Sequence, residues 1–174
     1  MSARKDACFV ELFWDHTHAN GEPQMIVGLK DALATAQQLG IRCIAVTNAQ
    51  RGAAEASIAA LRECIPAASI IEGLVVGAEC AQAKPAPDPY IEGMRQLGVC
   101  PSECIVFEDS ASGVRAGVAA NVCGVVGIRT TLTDAQLRQA GCDVTLADWT
   151  EFSPEFLTQL VREKFNRGSP EGTP

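Results

Sequence analysis

The sequence contains no run of lysine or arginine, its net charge is −7, and its pI is about 4.8. Nucleic acid and anionic membrane surfaces are therefore poor candidate partners. No apolar run approaches the ~20 residues needed to span a bilayer. No basic start leads into an apolar leader segment. The eight cysteines (Cys8, Cys43, Cys64, Cys80, Cys100, Cys104, Cys123 and Cys142) form no Cys-x-x-Cys pair. Cys43, Cys104 and Cys123 lie inside apolar runs, which fits buried thiols in a reducing compartment better than disulfides or a zinc site. Neither G-x-x-x-x-G-K-[ST] nor a G-x-G-x-x-G following a strand is present, which argues against a nucleotide-binding domain. There is no internal repeat and no linker. A soluble, cytoplasmic, single-domain protein is the expectation.

What is present is 174 residues, 47% hydrophobic and 20% charged, enough for one respectable core. Apolar side chains at Phe9, Leu12 and Phe13, with His16 next, fall at helical spacing. Ala19–Pro23 breaks that helix. A second helix is expected from Val27, with Leu29, Leu33, Ala36 and Leu39 inward and Gly40 as its stop. Ile41–Val46 reads as a buried strand ending at Thr47–Asn48, followed by a helix over Ala53–Cys64. Residues 69–80 are extended around Gly73 and Gly77. Lys84–Pro85–Ala86–Pro87–Asp88–Pro89–Tyr90 is a proline-fixed loop opening a helix that runs to Leu97. Cys104–Phe107 is a buried strand, and Ser110 caps the helix after it. Val122–Ile128 is a further strand, Thr133 caps a short helix to Ala140, Asp143–Leu146 is an edge strand, and Ser153–Pro154 starts a terminal helix. From Asn166 the tail is expected to be disordered. Alternating helices and strands predict a three-layer α/β fold with a mostly parallel sheet.

Three strand ends carry polar residues: Thr47–Asn48, Lys84 before Pro85, and Glu108–Asp109. Parallel strands present their C-terminal ends on one rim, where ligands bind in open α/β sheets. Adjacent carboxylates repel unless a cation lies between them or one is protonated. Their hard oxygens suit Mg²⁺, which takes one or two carboxylates plus waters and phosphate. An ammonium and a hydroxyl beside them suit phosphoryl chemistry. Taken singly, Thr47 reads as a strand end, Lys84 as a surface lysine and Asp109 as a helix cap. The set is what points to a site.

Ala45–Val46–Thr47–Asn48, Ala83–Lys84–Pro85–Ala86–Pro87–Asp88–Pro89–Tyr90, and Val106–Phe107–Glu108–Asp109–Ser110 with Ala111–Ser112–Gly113–Val114–Arg115–Ala116–Gly117 resemble the second, third and fourth motifs of the haloacid dehalogenase-like hydrolases. The closest likeness is to their β-phosphoglucomutase-like phosphatases and phosphomutases, over about Gln24 to Leu146. The resemblance implies a Rossmann-like core, a small phosphorylated metabolite as substrate, and Mg²⁺ as cofactor. It implies that Thr47 and Asn48 bind the transferring phosphoryl group, that Lys84 stabilises its charge, and that Glu108 and Asp109 hold the metal. A receiver domain also uses acids, a Thr and a Lys before Pro, but places its acidic pair first, whereas here the acids follow Lys84.

The family's first motif, an Asp-x-Asp carrying the nucleophile, occurs nowhere in the chain. The sequence therefore looks like a member cut short at its N-terminus, with residues 1–23 a cap remnant and connector, 24–165 the core and 166–174 the tail. Two activities compete: a phosphatase or phosphomutase acting through an aspartyl-phosphate, and a non-catalytic phosphate- and metal-binding relic. Little or no turnover is expected. Asp15, with Thr17 in the second Asp position, is the one local substitute nucleophile, and only if the stretch before it is a strand. Asp15, His16 and His18 also suggest zinc, but helical neighbours two apart do not share a face, so surface histidines are expected. A sheet lacking its first strand should pair the strands ending at Thr47 and Asp109 directly, or leave a wet gap, with Phe9–His16 as a helix against the rim. Low stability and self-association would follow.

Overall fold

The strand ending at Thr47 and the strand ending at Glu108 do not meet. A third strand lies between them. The structure, a computed structural model, describes residues 7–10 and 26–168. In it β1 (Ala7–Val10) pairs in parallel with β2 (Arg42–Thr47) on one side and β4 (Cys104–Glu108) on the other. Phe9 lies level with Ile44 and Val106. This corrects the expected helix from Phe9 and the expected direct pairing or open gap. The core sheet begins upstream of residue 24. The physical reason is that β2 and β4 would otherwise leave two ladders of backbone N–H and C=O groups without partners. A continuous apolar run such as Ala-Cys-Phe-Val serves a doubly buried strand as well as a helix.

With β3 (Ile71–Val76), β5 (Gly124–Ile128) and β6 (Val144–Leu146), the sheet has six strands in the order β3-β2-β1-β4-β5-β6, all neighbours parallel. Alternate residues of each central strand face opposite layers. Cys43, Ala45, Ile105 and Phe107 pack with Leu29 and Leu33 of α1 (Leu29–Gln38), Ile58 and Leu61 of α2 (Arg51–Cys64), and Leu160 of α6 (Pro154–Gly168). Ile44, Val46, Cys104 and Val106 pack with Tyr90, Met94 and Leu97 of α3 (Asp88–Leu97), Val114 of α4 (Ala111–Ala119) and Leu137 of α5 (Asp134–Ala140). The expected three-layer architecture is what forms.

Most local signals act as read, although Leu39, expected inward, is exposed. Gly98 ends α3 in the left-handed conformation, and Thr133 and Gln136 close a capping box on α5. Gly28, at φ 79°, precedes α1 where a Cβ would sit 2.3 Å from the Thr150 backbone nitrogen, so only glycine lets this turn lie against the Trp149–Glu151 turn. The terminal helix continues through Asn166 to Gly168, past the expected start of the tail; residues 169–174 lie outside the described residues. Cys43 and Cys104 are buried thiols, while Cys123 is half-buried. Burial pushes the Cys104 thiol up to about 12. Among the described residues no helix is long and apolar enough to cross a membrane.

Candidate phosphate and metal site

Lys84 belongs to the loop between β3 and α3, yet it is only 6% exposed. Two anchors hold it there. Its main chain is gripped by the Asn48 side-chain amide: Lys84 N donates to Asn48 Oδ1 at 3.3 Å, and Asn48 Nδ2 donates to the Lys84 carbonyl at 3.2 Å. The amide fits because residue 77 is glycine; a Cβ there would stand 2.2 Å from Asn48 Oδ1. The ammonium is held at the other end, donating to the Val46 carbonyl at 2.9 Å and to Glu108 Oε1 at 2.5 Å. One lysine thus joins the ends of β2 and β4.

Glu108 is the most enclosed charge among the described residues, at 1% exposure. Oε1 accepts from Lys84 and from the Tyr90 hydroxyl, and Oε2 accepts from Ser110 Oγ at 3.0 Å. The same Ser110 oxygen accepts from Gly113 N at 3.0 Å and caps α4. The first turn of α4 closes over the carboxylate: a Cβ on Gly113 would come within 2.0 Å of it. Buried charges persist only when paired and hydrogen-bonded, as here.

Asp109 is treated differently. Thr130 Oγ1 donates to its Oδ2 at 2.9 Å and Thr131 Oγ1 to its carbonyl at 2.6 Å. Its Oδ1 is buried and has no hydrogen-bond partner. Burial raises its pKa above the ordinary 3.8, opposed by the Thr130 hydrogen bond and assisted by the Glu108 charge. A buried carboxylate oxygen without a donor is costly, and a cation would relieve it. The described residues therefore fit a hard divalent ion through Asp109 Oδ1, with waters and phosphate completing the shell as Mg²⁺ accepts. They do not supply a full cage, since no cluster of three or more His, Cys, Asp or Glu ligands forms among them.

The expected residues converge unequally. Lys84, Glu108 and Asp109 meet on one rim. Thr47 ends β2 at the same rim, half-buried, its Oγ1 accepting from Ala49 N at 3.0 Å. The Asn48 side chain is spent on the Lys84 backbone. Asp15, His16, Thr17 and His18 lie outside the described residues. Sequence reasoning assigned no role to Tyr90, Thr130 or Thr131. Thr130 and Thr131 come one residue after the end of β5, and a polar pair just past a parallel strand reaches the same rim. Tyr90 is the only tyrosine in the chain, and a buried tyrosine hydroxyl needs a partner. A cavity of about 480 Å³ lies elsewhere, along β3 and α3 between Arg51, Leu74 and Ile91, and contains none of the clustered groups.

Comparison with known proteins places the chain in a family. The family model of haloacid dehalogenase-like hydrolases matches residues 3–121, a span that includes β1. The protein CbbY of Rhodobacter capsulatus is 35% identical over 131 residues, covering 75% of this chain and 54% of the relative. The β-phosphoglucomutase of Mycobacterium bovis is 43% identical over 84 residues, 47% of this chain and 32% of the relative. The chain thus spans about half the length of CbbY and a third of the β-phosphoglucomutase. The structure of CbbY from Rhodobacter sphaeroides in complex with xylulose-1,5-bisphosphate superposes with a TM-score of 0.64 at 30% identity, covering 76% of this chain and 58% of that one. The β-phosphoglucomutase of Clostridium difficile, at 19% identity, shares the fold with a TM-score of 0.68 over 88% of this chain and 62% of its own. With its parallel six-stranded core and its lysine and paired acids on one rim, the chain belongs to the haloacid dehalogenase-like hydrolases.

Proposed function

We propose that this chain is the core of a Mg²⁺-dependent phosphatase or phosphomutase for a small phosphorylated metabolite. The observation that carries the reading is the presence on one rim of a buried lysine ammonium, held by Glu108, and of a buried oxygen of Asp109 that accepts no hydrogen bond. Lys84 orients and offsets the charge of a phosphoryl oxygen, while the Thr47 hydroxyl and the turn through Asn48 bind the same group from β2. Asp109 presents Oδ1 to the metal, and Glu108 adds its charge beside it while holding Lys84. Bound Mg²⁺ would supply Lewis-acid stabilisation of the phosphoryl oxygens. The relatives' names support the substrate class: one neighbour was solved with xylulose-1,5-bisphosphate and another CbbY structure with phosphate.

The second reading, binding without turnover, is favoured by one specific observation: no Asp-x-Asp occurs in the sequence. Both readings share the pocket. Titration calorimetry with Mg²⁺ and with inorganic phosphate, on wild type, Asp109→Ala and Thr47→Val, tests it. Mg²⁺ should bind wild type weakly and Asp109→Ala at least tenfold more weakly, a loss of about 1.4 kcal/mol. Equal Mg²⁺ affinity in the two proteins would refute the metal assignment.

A further inference from the structure

Tyr90 contributes two contacts to one ion pair. Its hydroxyl donates to Glu108 Oε1, the oxygen that also accepts from Lys84. Its ring lies under the ammonium, with Lys84 Nζ 5.1 Å from the ring centroid, within cation–π range. The Lys84 and Glu108 side chains are 1% and 0% exposed, and Tyr90 is 1% exposed, so water does not screen these contacts. The chain between Lys84 and Tyr90 contains Pro85, Pro87 and Pro89, and each proline fixes one backbone torsion. The spacing of ammonium and ring is thereby set by a stiff loop.

We propose that Tyr90 is a positioning residue for Lys84. By sharing Oε1, the hydroxyl takes part of the charge on that oxygen that would otherwise face Lys84. That weakens the pull of Glu108 on the ammonium and keeps Nζ directed at the rim beside Val46. Without the hydroxyl, the buried carboxylate loses one compensating donor and draws Lys84 more tightly inward. The ring adds a second contact to the ammonium. Tyr90 acts in this way only if Lys84 meets a phosphoryl group, as proposed above.

The test uses the full chain, with inorganic phosphate as the probe. Tyr90→Phe keeps the ring and removes the hydroxyl. It should weaken phosphate binding by about tenfold at a temperature where the protein remains folded. Because Tyr90 is the only tyrosine, growth on 3-fluorotyrosine labels this position alone and leaves the hydroxyl in place. The ¹⁹F signal should move during the phosphate titration, with the midpoint seen by calorimetry. A tyrosine that only fills the core would show neither effect. If wild type binds phosphate, and Thr47→Val weakens that binding, while Tyr90→Phe matches wild type or the ¹⁹F signal stays fixed, the positioning role is overturned and the phosphate site stands. If wild type binds no phosphate, or Thr47→Val is without effect, the phosphate site falls and the role of Tyr90 with it.

Discussion

At the scale of single residues, Glu108 and Asp109 show how neighbours in sequence take opposite parts. Glu108 is enclosed by donors; Asp109 keeps one oxygen without any. The consequence for stability has a definite sign. Burial, with the Glu108 charge assisting, raises the folded-state pKa of Asp109 above 3.8. The protonated form is therefore favoured by folding. Its contribution is fully present below pH 3.8 and is lost as pH rises through the folded value, so at neutral pH the charge opposes folding. Asp109→Asn should gain stability relative to wild type between acid and neutral pH in the absence of metal, measured by urea unfolding at several pH values. A difference that does not change with pH would contradict this. Mg²⁺ should raise the unfolding midpoint of wild type and leave that of Asp109→Asn unmoved. Both acids were legible in the sequence as a pair at the end of a strand. Their unequal surroundings were not, because they depend on Tyr90 in α3 and on Thr130 and Thr131 after β5, which meet the acids only through the parallel sheet.

At the scale of elements, β1 is where sequence reading and structure part. Ala-Cys-Phe-Val has no alternation, and with Leu12 and Phe13 its Phe fits a helical period equally well. What decides in favour of the strand is tertiary: β2 and β4 each need a partner on their inner edge. The remaining elements were readable because each carries its own punctuation, such as Gly98 after α3, Ser110 before α4 and Thr133 before α5. Deleting residues 1–10 should remove the bridge between β2 and β4. Each backbone group left buried without a partner costs about 1–3 kcal/mol, against a total of about 5–15 kcal/mol for a domain. The shortened chain should lose its cooperative thermal transition and elute as aggregate in size-exclusion chromatography. A monomer melting near wild type would show that β2 and β4 close without β1. With β1 in place, the expectation of self-association, which rested on an open seam, loses its basis.

At the scale of the whole molecule, the fold class and the rim of the sheet were legible though its central strand was not, and the missing Asp-x-Asp bears most directly on activity. On the reading proposed above, Lys84 and a bound cation polarise a phosphoryl group, but the sequence holds no Asp-x-Asp to supply the attacking carboxylate. Hydrolysis of para-nitrophenyl phosphate with Mg²⁺ should stay near background. Robust turnover abolished by Asp15→Asn would instead make Asp15 the nucleophile. The bridge that Lys84 makes between Val46 and Glu108 has a bearing on descent. It spans the position of β1 and ties the two halves of the sheet at their common rim, with both charges out of water. Breaking such a buried pair by removing one member costs about 3–5 kcal/mol, a large part of what holds a domain together. A lineage that stopped turning over phosphoesters would still lose viable copies whenever this lysine or this glutamate changed. Folding alone is enough to preserve the pair, so its presence in a chain does not depend on whether that chain turns over a phosphoester.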